Sequence, residues 1–267
     1  MGGIVPAAAG LEFPAATRSP SMKLRHALAA LLSGLALTAS PATFAATVPQ
    51  ADVETVGGVE FTLPIPPGYL APAATPKAVH DMMEHALPPT NHLVTVMLTQ
   101  QFLDELRAGN MRATKSRYLA VQSFPAFDQS GLTQEVFDQL KTVFRNQSAQ
   151  LLEQAKSIID DSTNRVSGDV GKLTGDSSAQ VKSSDLHTLG IFDEQPDSIS
   201  LAAVQSLSAS ARDKQIQMKQ AMGMTALLIH GKVLMVSFYS SYDSQADVDW
   251  VEDQARAWAR RMHELNP

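Results

Sequence analysis

Apolar and polar residues alternate along Val53–Val56 and again along Val59–Leu63, with Gly57-Gly58 between the two runs. A period of two around a Gly-Gly pair predicts a β-hairpin closed by a tight primed turn. Val59, Phe61 and Leu63 share one face, and Pro64, Pro66, Pro67 and Gly68 end the second strand. Thr75-Pro76 predicts an N-cap followed by proline at the first helical position, opening a short helix to about Ala86. A strand is expected over His92–Thr99, with Val94, Val96 and Leu98 on one side. A two-turn helix from about Gln101 follows, stopped by Gly109, and then a strand over Arg117–Phe124.

From Thr133 the period changes to that of a helix, expected to run to about Asp161. Leu132 and Phe137 stand where a hydrophobic staple would flank its start. Val136, Leu140, Val143, Phe144, Leu151, Ala155, Ile158 and Ile159 form one apolar stripe. Asn146, Gln147 and Ser148 interrupt it, so a bend or break is expected there. Ser162–Asp185, rich in Ser, Gly, Asp and Lys, is expected to be a mobile surface excursion.

Strands over Thr188–Asp193 and Ser198–Gln205 are expected about the turn Glu194-Gln195-Pro196-Asp197, with Ser206–Lys214 as a polar connector. Met224–Ile229 and Lys232–Tyr239, apolar at nearly every position, flank His230-Gly231 as central strands covered on both faces would. Ser244 and Asp247 make a capping box for a final helix over about Gln245–Leu265. Its buried stripe is Val248, Val251, Ala255, Trp258 and Met262. The sum is an α+β fold: an antiparallel or mixed sheet packed with helices, one of them long and one C-terminal and amphipathic. There is no fixed-period repeat.

The N-terminal region has a different pattern. Lys23 and Arg25 follow Met22, an uncharged stretch rich in leucine runs from Ala27 to Ala39, and Ala42-Thr43-Phe44-Ala45-Ala46 follows Pro41. This charged, apolar, small-residue order predicts a secretory signal peptide over residues 22–46, cleaved near Ala45 or Ala46. The apolar run of about 13 residues is short of the roughly 20 that span a bilayer. Residues 1–21 carry no pattern and read as an extension upstream of the start at Met22. Residues 47–267 are then one α+β domain, periplasmic or secreted, with no later transmembrane segment.

The chain has no cysteine, which removes lipoprotein anchors, disulfides and thiolate metal sites. Discounting Glu12, Arg18, Lys23 and Arg25 from 27 Asp+Glu and 21 Lys+Arg leaves 26 against 18, a formal net of −8. That balance argues against nucleic acid as a partner.

Candidate chemistry is sparse. His80, Glu84 and His85, near Asp81 and His92, are the candidate metal ligands, although no two histidines stand at the i, i+4 spacing of a zinc pair. Surface ion pairing is the simpler reading. Neither G-x-S-x-G nor S-x-x-K occurs, and no phosphate loop precedes a helix, so no catalytic residue and no cofactor is expected. The long helix, about 29 residues or roughly 43 Å, would project past strands of roughly 20–27 Å. Leu151, Leu152, Ile158 and Ile159 on its distal half, with Trp250 at the edge of the C-terminal stripe, are therefore the candidate partner-binding residues. The alternative is a bent helix covered by the excursion.

Two segments resemble PsbP/DcrB-like domains. One is the hairpin closing in Phe61-Thr62-Leu63-Pro64-Ile65-Pro66-Pro67-Gly68-Tyr69. The other is the apolar hairpin Ala226–Tyr239 leading through Ser240-Ser241-Tyr242 into a helix with two tryptophans. Leu189–Glu194 is similar to a segment of uncharacterised exported bacterial proteins. The resemblance implies a PsbP-like α/β sandwich and a non-enzymatic accessory role, binding a protein partner or small ligand in the cell envelope. The alternative is an exported hydrolase whose active site has no motif. Intact-mass measurement on protein from an envelope fraction is expected to give an N-terminus at Ala46 or Thr47; retention of Met22 would refute the signal.

Overall fold

The structure, a computed structural model, describes residues 51–108, 116–174, 176–211 and 214–267, with side chains omitted at 106–108, 147–158, 170–174, 211 and 214. The signal-peptide segment and residues 1–21 lie outside the described residues.

Strands β1 (Ala51–Val56) and β2 (Val59–Pro64) form the expected hairpin as a separate two-stranded sheet. The main sheet has the order β3 (His92–Leu98), β4 (Arg117–Ser123), β8 (Lys232–Ser241), β7 (Lys214–Ile229), β6 (Ser198–Ala211), β5 (Gln180–Gln195). Every neighbouring pair is antiparallel. The helices are α1 (Lys77–Ala86), α2 (Gln100–Ala108), the single turn α3 (Pro125–Asp128), α4 (Gln134–Thr174) and α5 (Gln245–Leu265). The β7–β8 turn is tight because both its residues take positive φ, His230 at 50° and Gly231 at 73°, as a primed turn requires.

Alternation along the central strands creates two cores. Leu234, Val236 and Phe238 of β8 join Phe61 and Leu63 of the hairpin and Val248, Val251, Ala255, Trp258 and Met262 of α5. On the opposite face, Leu93, Val96, Leu98 and Ala120 pack under α1 and α2. Ile199, Ala226 and Val233 pack under the start of α4 through Phe137. The C-terminal helix lies close to the sheet because the residues beneath it are small. Ser200, Ala202, Ala221, Gly223 and Thr225 line that face, with the buried hydroxyls of Ser200 and Thr225 bonded at 2.8 Å. A Cβ added to Gly223 would lie 2.7 Å from the Val251 carbonyl oxygen.

Several sequence expectations change. Helix α4 has 41 residues and no break at Asn146–Ser148; it continues through 162–174, and β5 begins at Gln180. The segment 162–185, expected to be a mobile surface excursion, thus holds the end of α4 and the start of β5. Strands β5, β6 and β7 run 16, 14 and 16 residues, roughly 45–55 Å, and β6 and β7 continue through the expected polar connector. They form a three-stranded arm beside a helix of about 60 Å, so the mismatch expected between a long helix and short strands is largely removed. The Ser167 hydroxyl joins helix to arm, accepting from Val181 N at 2.7 Å and meeting Val181 O at 3.2 Å.

The buried side of α4 is also rotated from the expected stripe. Phe137 is fully buried and Lys141 is 5% exposed, whereas Val136 and Val143 are exposed. The Lys141 ammonium donates to the carbonyls of Gln195 at 3.0 Å and Pro196 at 2.8 Å, satisfying the β5–β6 turn. Thr75 does not cap α1; its hydroxyl donates to Val96 O at 3.0 Å, fixing the helix start to β3.

Gly223→Ala is expected to cost about 1–3 kcal/mol, since the new methyl meets backbone that cannot turn aside. Urea unfolding with an unchanged m-value checks this; a neutral result would mean that the helix can lift from the sheet without loss.

Candidate functional site

The C-terminal helix α5 does more than fill the core, because its side chains also hold the outer edge of β2. The backbone groups of Thr62 point away from β1, and both are bonded by one side chain. Asn266 Oδ1 accepts from Thr62 N at 2.8 Å, and its Nδ2 donates to Thr62 O at 3.0 Å. Two residues on, Trp258 Nε1 donates to Pro64 O at 2.9 Å. Pro64, Pro66 and Pro67 end the strand because proline has no N–H to offer a ladder. The chain therefore leaves α5 here, and a gap opens beside the helix.

That gap is an apolar cleft of about 380 Å³ between the proline segment and the outward side of α5. Ala51, Pro64–Pro67, Ala257, Trp258 and Leu265 supply its apolar wall, with Gln254 and Arg261 from the helix. Arg261 is the one charged residue among those lining it; its Nη1 lies 2.6 Å from Glu264 Oε2, with both side chains substantially exposed. Clefts of this size and character accommodate small molecules or single side chains. Sequence reasoning assigned Trp258 to the core and the prolines only to a strand end. The available signal was the spacing 254, 257, 258, 261, 265, which puts one side of the helix next to the core stripe.

The candidate metal ligands His80, Glu84 and His85 do not converge. Glu84 accepts from Leu93 N at 2.6 Å and meets His92 Nδ1 at 3.0 Å, so it serves the start of β3. His85 turns instead to Asp169 of α4, at 2.5 Å. His80 makes neither contact, and among the described residues no group of three or more His, Asp or Glu side chains is placed to hold a metal.

The expected partner surface is likewise divided. Ile159 is half-buried on α4, while the side chains of Leu151, Leu152 and Ile158 lie outside the described residues. Trp250 is on the other face of the sheet, half-buried against the main core, with the Arg117 guanidinium 4.0 Å from its ring centre.

A second cleft, of about 490 Å³, lies between Asp193–Ser198 and the last turns of α5. His263 Nδ1 is 3.3 Å from Asp197 Oδ2 there. The Nε2 atom that a general base would present is buried without a partner, and Ser198 is itself buried. At the neighbouring turn, hydrogen bonding to Arg145 holds the Glu194 carboxyl below its ordinary range. These groups tie the hairpin to the helices. Among the described residues, no helix is long and apolar enough to cross a membrane.

No family model and no curated protein matches the chain. Among solved structures it is similar to the Saccharomyces cerevisiae Ran-binding protein Mog1p, with 12% identity, a TM-score of 0.28, and coverage of 80% of this chain and 95% of that one. It is also similar to a single-substitution mutant of Mog1, with 12% identity, a TM-score of 0.26, and coverage of 81% and 89%. Similarity at that level carries no inference about function.

Trp258→Ala is expected to cost about 3–5 kcal/mol, through the cavity it leaves. Trp258→Phe should cost about 1–3 kcal/mol, since it leaves the Pro64 carbonyl without a donor. Trp250→Ala should cost less than Trp258→Ala. Equal losses for the two alanine variants in chemical denaturation would contradict this division of roles.

Proposed function

We propose that this chain is an exported accessory protein that acts by binding and not by catalysis, with the apolar cleft beside α5 as its binding site. Export rests on the charged, apolar, small-residue order of residues 22–46. The accessory role is what the resemblance to PsbP/DcrB-like domains implies. The observation that carries the site is the wall of the cleft: prolines of fixed backbone on one side, and on the other a helix whose Trp258 is buried and bonded to Pro64. Neither wall has to be ordered when a ligand enters, so little conformational entropy is lost on binding.

The test fills the cleft without disturbing the core. Ala257 is exposed on α5 and lines the cleft, so Ala257→Trp adds a ring there at a position that tolerates bulk. Native mass spectrometry of protein isolated from the envelope should show a retained small molecule in the wild type and its loss in Ala257→Trp, with the ligand-free forms of the two proteins sharing one Tm. Retention of the same molecule by the variant at wild-type occupancy would overturn the assignment of the site.

A further inference from the structure

Resting on the cleft as the binding site, we infer its ligand class: an apolar monocarboxylate, with its hydrocarbon body between the prolines and Trp258 and its carboxylate on Arg261. Arg261 is the single charge on a wall otherwise made of Ala, Pro, Ile, Trp, Leu and one Gln. A guanidinium presents a planar fork of donors that matches a carboxylate in a bidentate pair. At the mouth of an apolar cleft it selects a molecule with one anionic end and an uncharged body.

The present partner of Arg261 does not prevent this. Glu264 stands three residues on along the same helix, and the side chains of the pair are 42% and 60% exposed. Exposed pairs of this kind contribute little. Glu264 also lies in the last turn of α5, where the free helix carbonyls disfavour a carboxylate. A ligand carboxylate arriving from the cleft meets the same guanidinium with its hydrocarbon already removed from water, so it competes with an advantage that Glu264 lacks. Gln254, about two turns earlier on the same side of α5, is the other polar residue on the wall and brings no second charge.

Isothermal titration calorimetry on the exported chain, with octanoate, 1-octanol and octyltrimethylammonium as probes, tests the inference. Octanoate is expected to bind roughly 10- to 100-fold more tightly than octanol, the range that a charge-assisted hydrogen bond supplies, and the ammonium compound least. Arg261→Gln should bring octanoate down to the octanol level and leave octanol unchanged, and Arg261→Lys should recover part of the difference. Equal affinities for octanoate and octanol, or no heat from octanoate, would overturn the carboxylate assignment. Octanol binding that disappears in Ala257→Trp would still leave the cleft as the binding site. Octanoate and octanol binding that survive unchanged in Ala257→Trp would overturn the cleft itself.

Discussion

The C-terminal helix meets the sheet backbone to backbone, where the Val251 carbonyl of α5 rests over Gly223 of β7. No side chain fits between them, and the neighbouring positions Ala202, Ala221, Ser200 and Thr225 are small for the same reason. The larger residues are displaced to the flanks of this seat, with Phe238, Val236 and Leu234 on one side and Trp258 and Met262 further along the helix. Because the helix is held that low, its outer side comes level with the edge of the β1–β2 hairpin. Trp258 and Asn266 can then reach the β2 backbone, and the cleft lies where the proline segment turns away from them.

Where the β1–β2 turn of the small sheet and the β7–β8 turn of the main sheet lie, one short connection organises both. The Gly57 turn lies against the backbone of Asp128, where a Cβ would collide with its carbonyl oxygen. The same carbonyl accepts from the buried ammonium of Lys232 at the start of β8. Four residues after Asp128, Leu132 N donates to Gly231 O at 2.6 Å, in the β7–β8 turn. Residues 124–133 thus carry the chain from β4 into α4 and fix the relative position of two hairpins that have no strand pairing with each other.

The elements that were legible in the sequence were those whose signal is local. The turns at Gly57-Gly58 and His230-Gly231 depend on left-handed backbone, which glycine accommodates readily. The five residues read as the buried stripe of α5 are all buried, because a 3.6 period over five turns admits one solution. The full length of the arm formed by β5–β7 was not legible: the expected strands Thr188–Asp193, Ser198–Gln205 and Met224–Ile229 cover only part of β5, β6 and β7. The Ser, Gln and Lys residues of the remainder have little apolar surface, and what organises them is ladder pairing along two consecutive hairpins, to which periodicity is blind. Lys141 broke the expected stripe of α4 in a similar way: its place in the core depends on turn carbonyls more than fifty residues away. The cleft escaped notice for a third reason, since it is produced where two elements diverge and no residue type marks such a place.

Asn266 bears on association as well as on folding. The outer edge of a hairpin strand ordinarily offers alternating N–H and C=O groups to any extended chain that meets it, and proteins that leave such an edge open risk stacking into polymers. Here one carboxamide occupies both groups of Thr62 and an indole occupies the next outward carbonyl. A second molecule approaching β2 along this line finds its hydrogen-bonding sites already taken, so the bonds that close the C-terminus onto the fold also guard the hairpin against linear self-assembly.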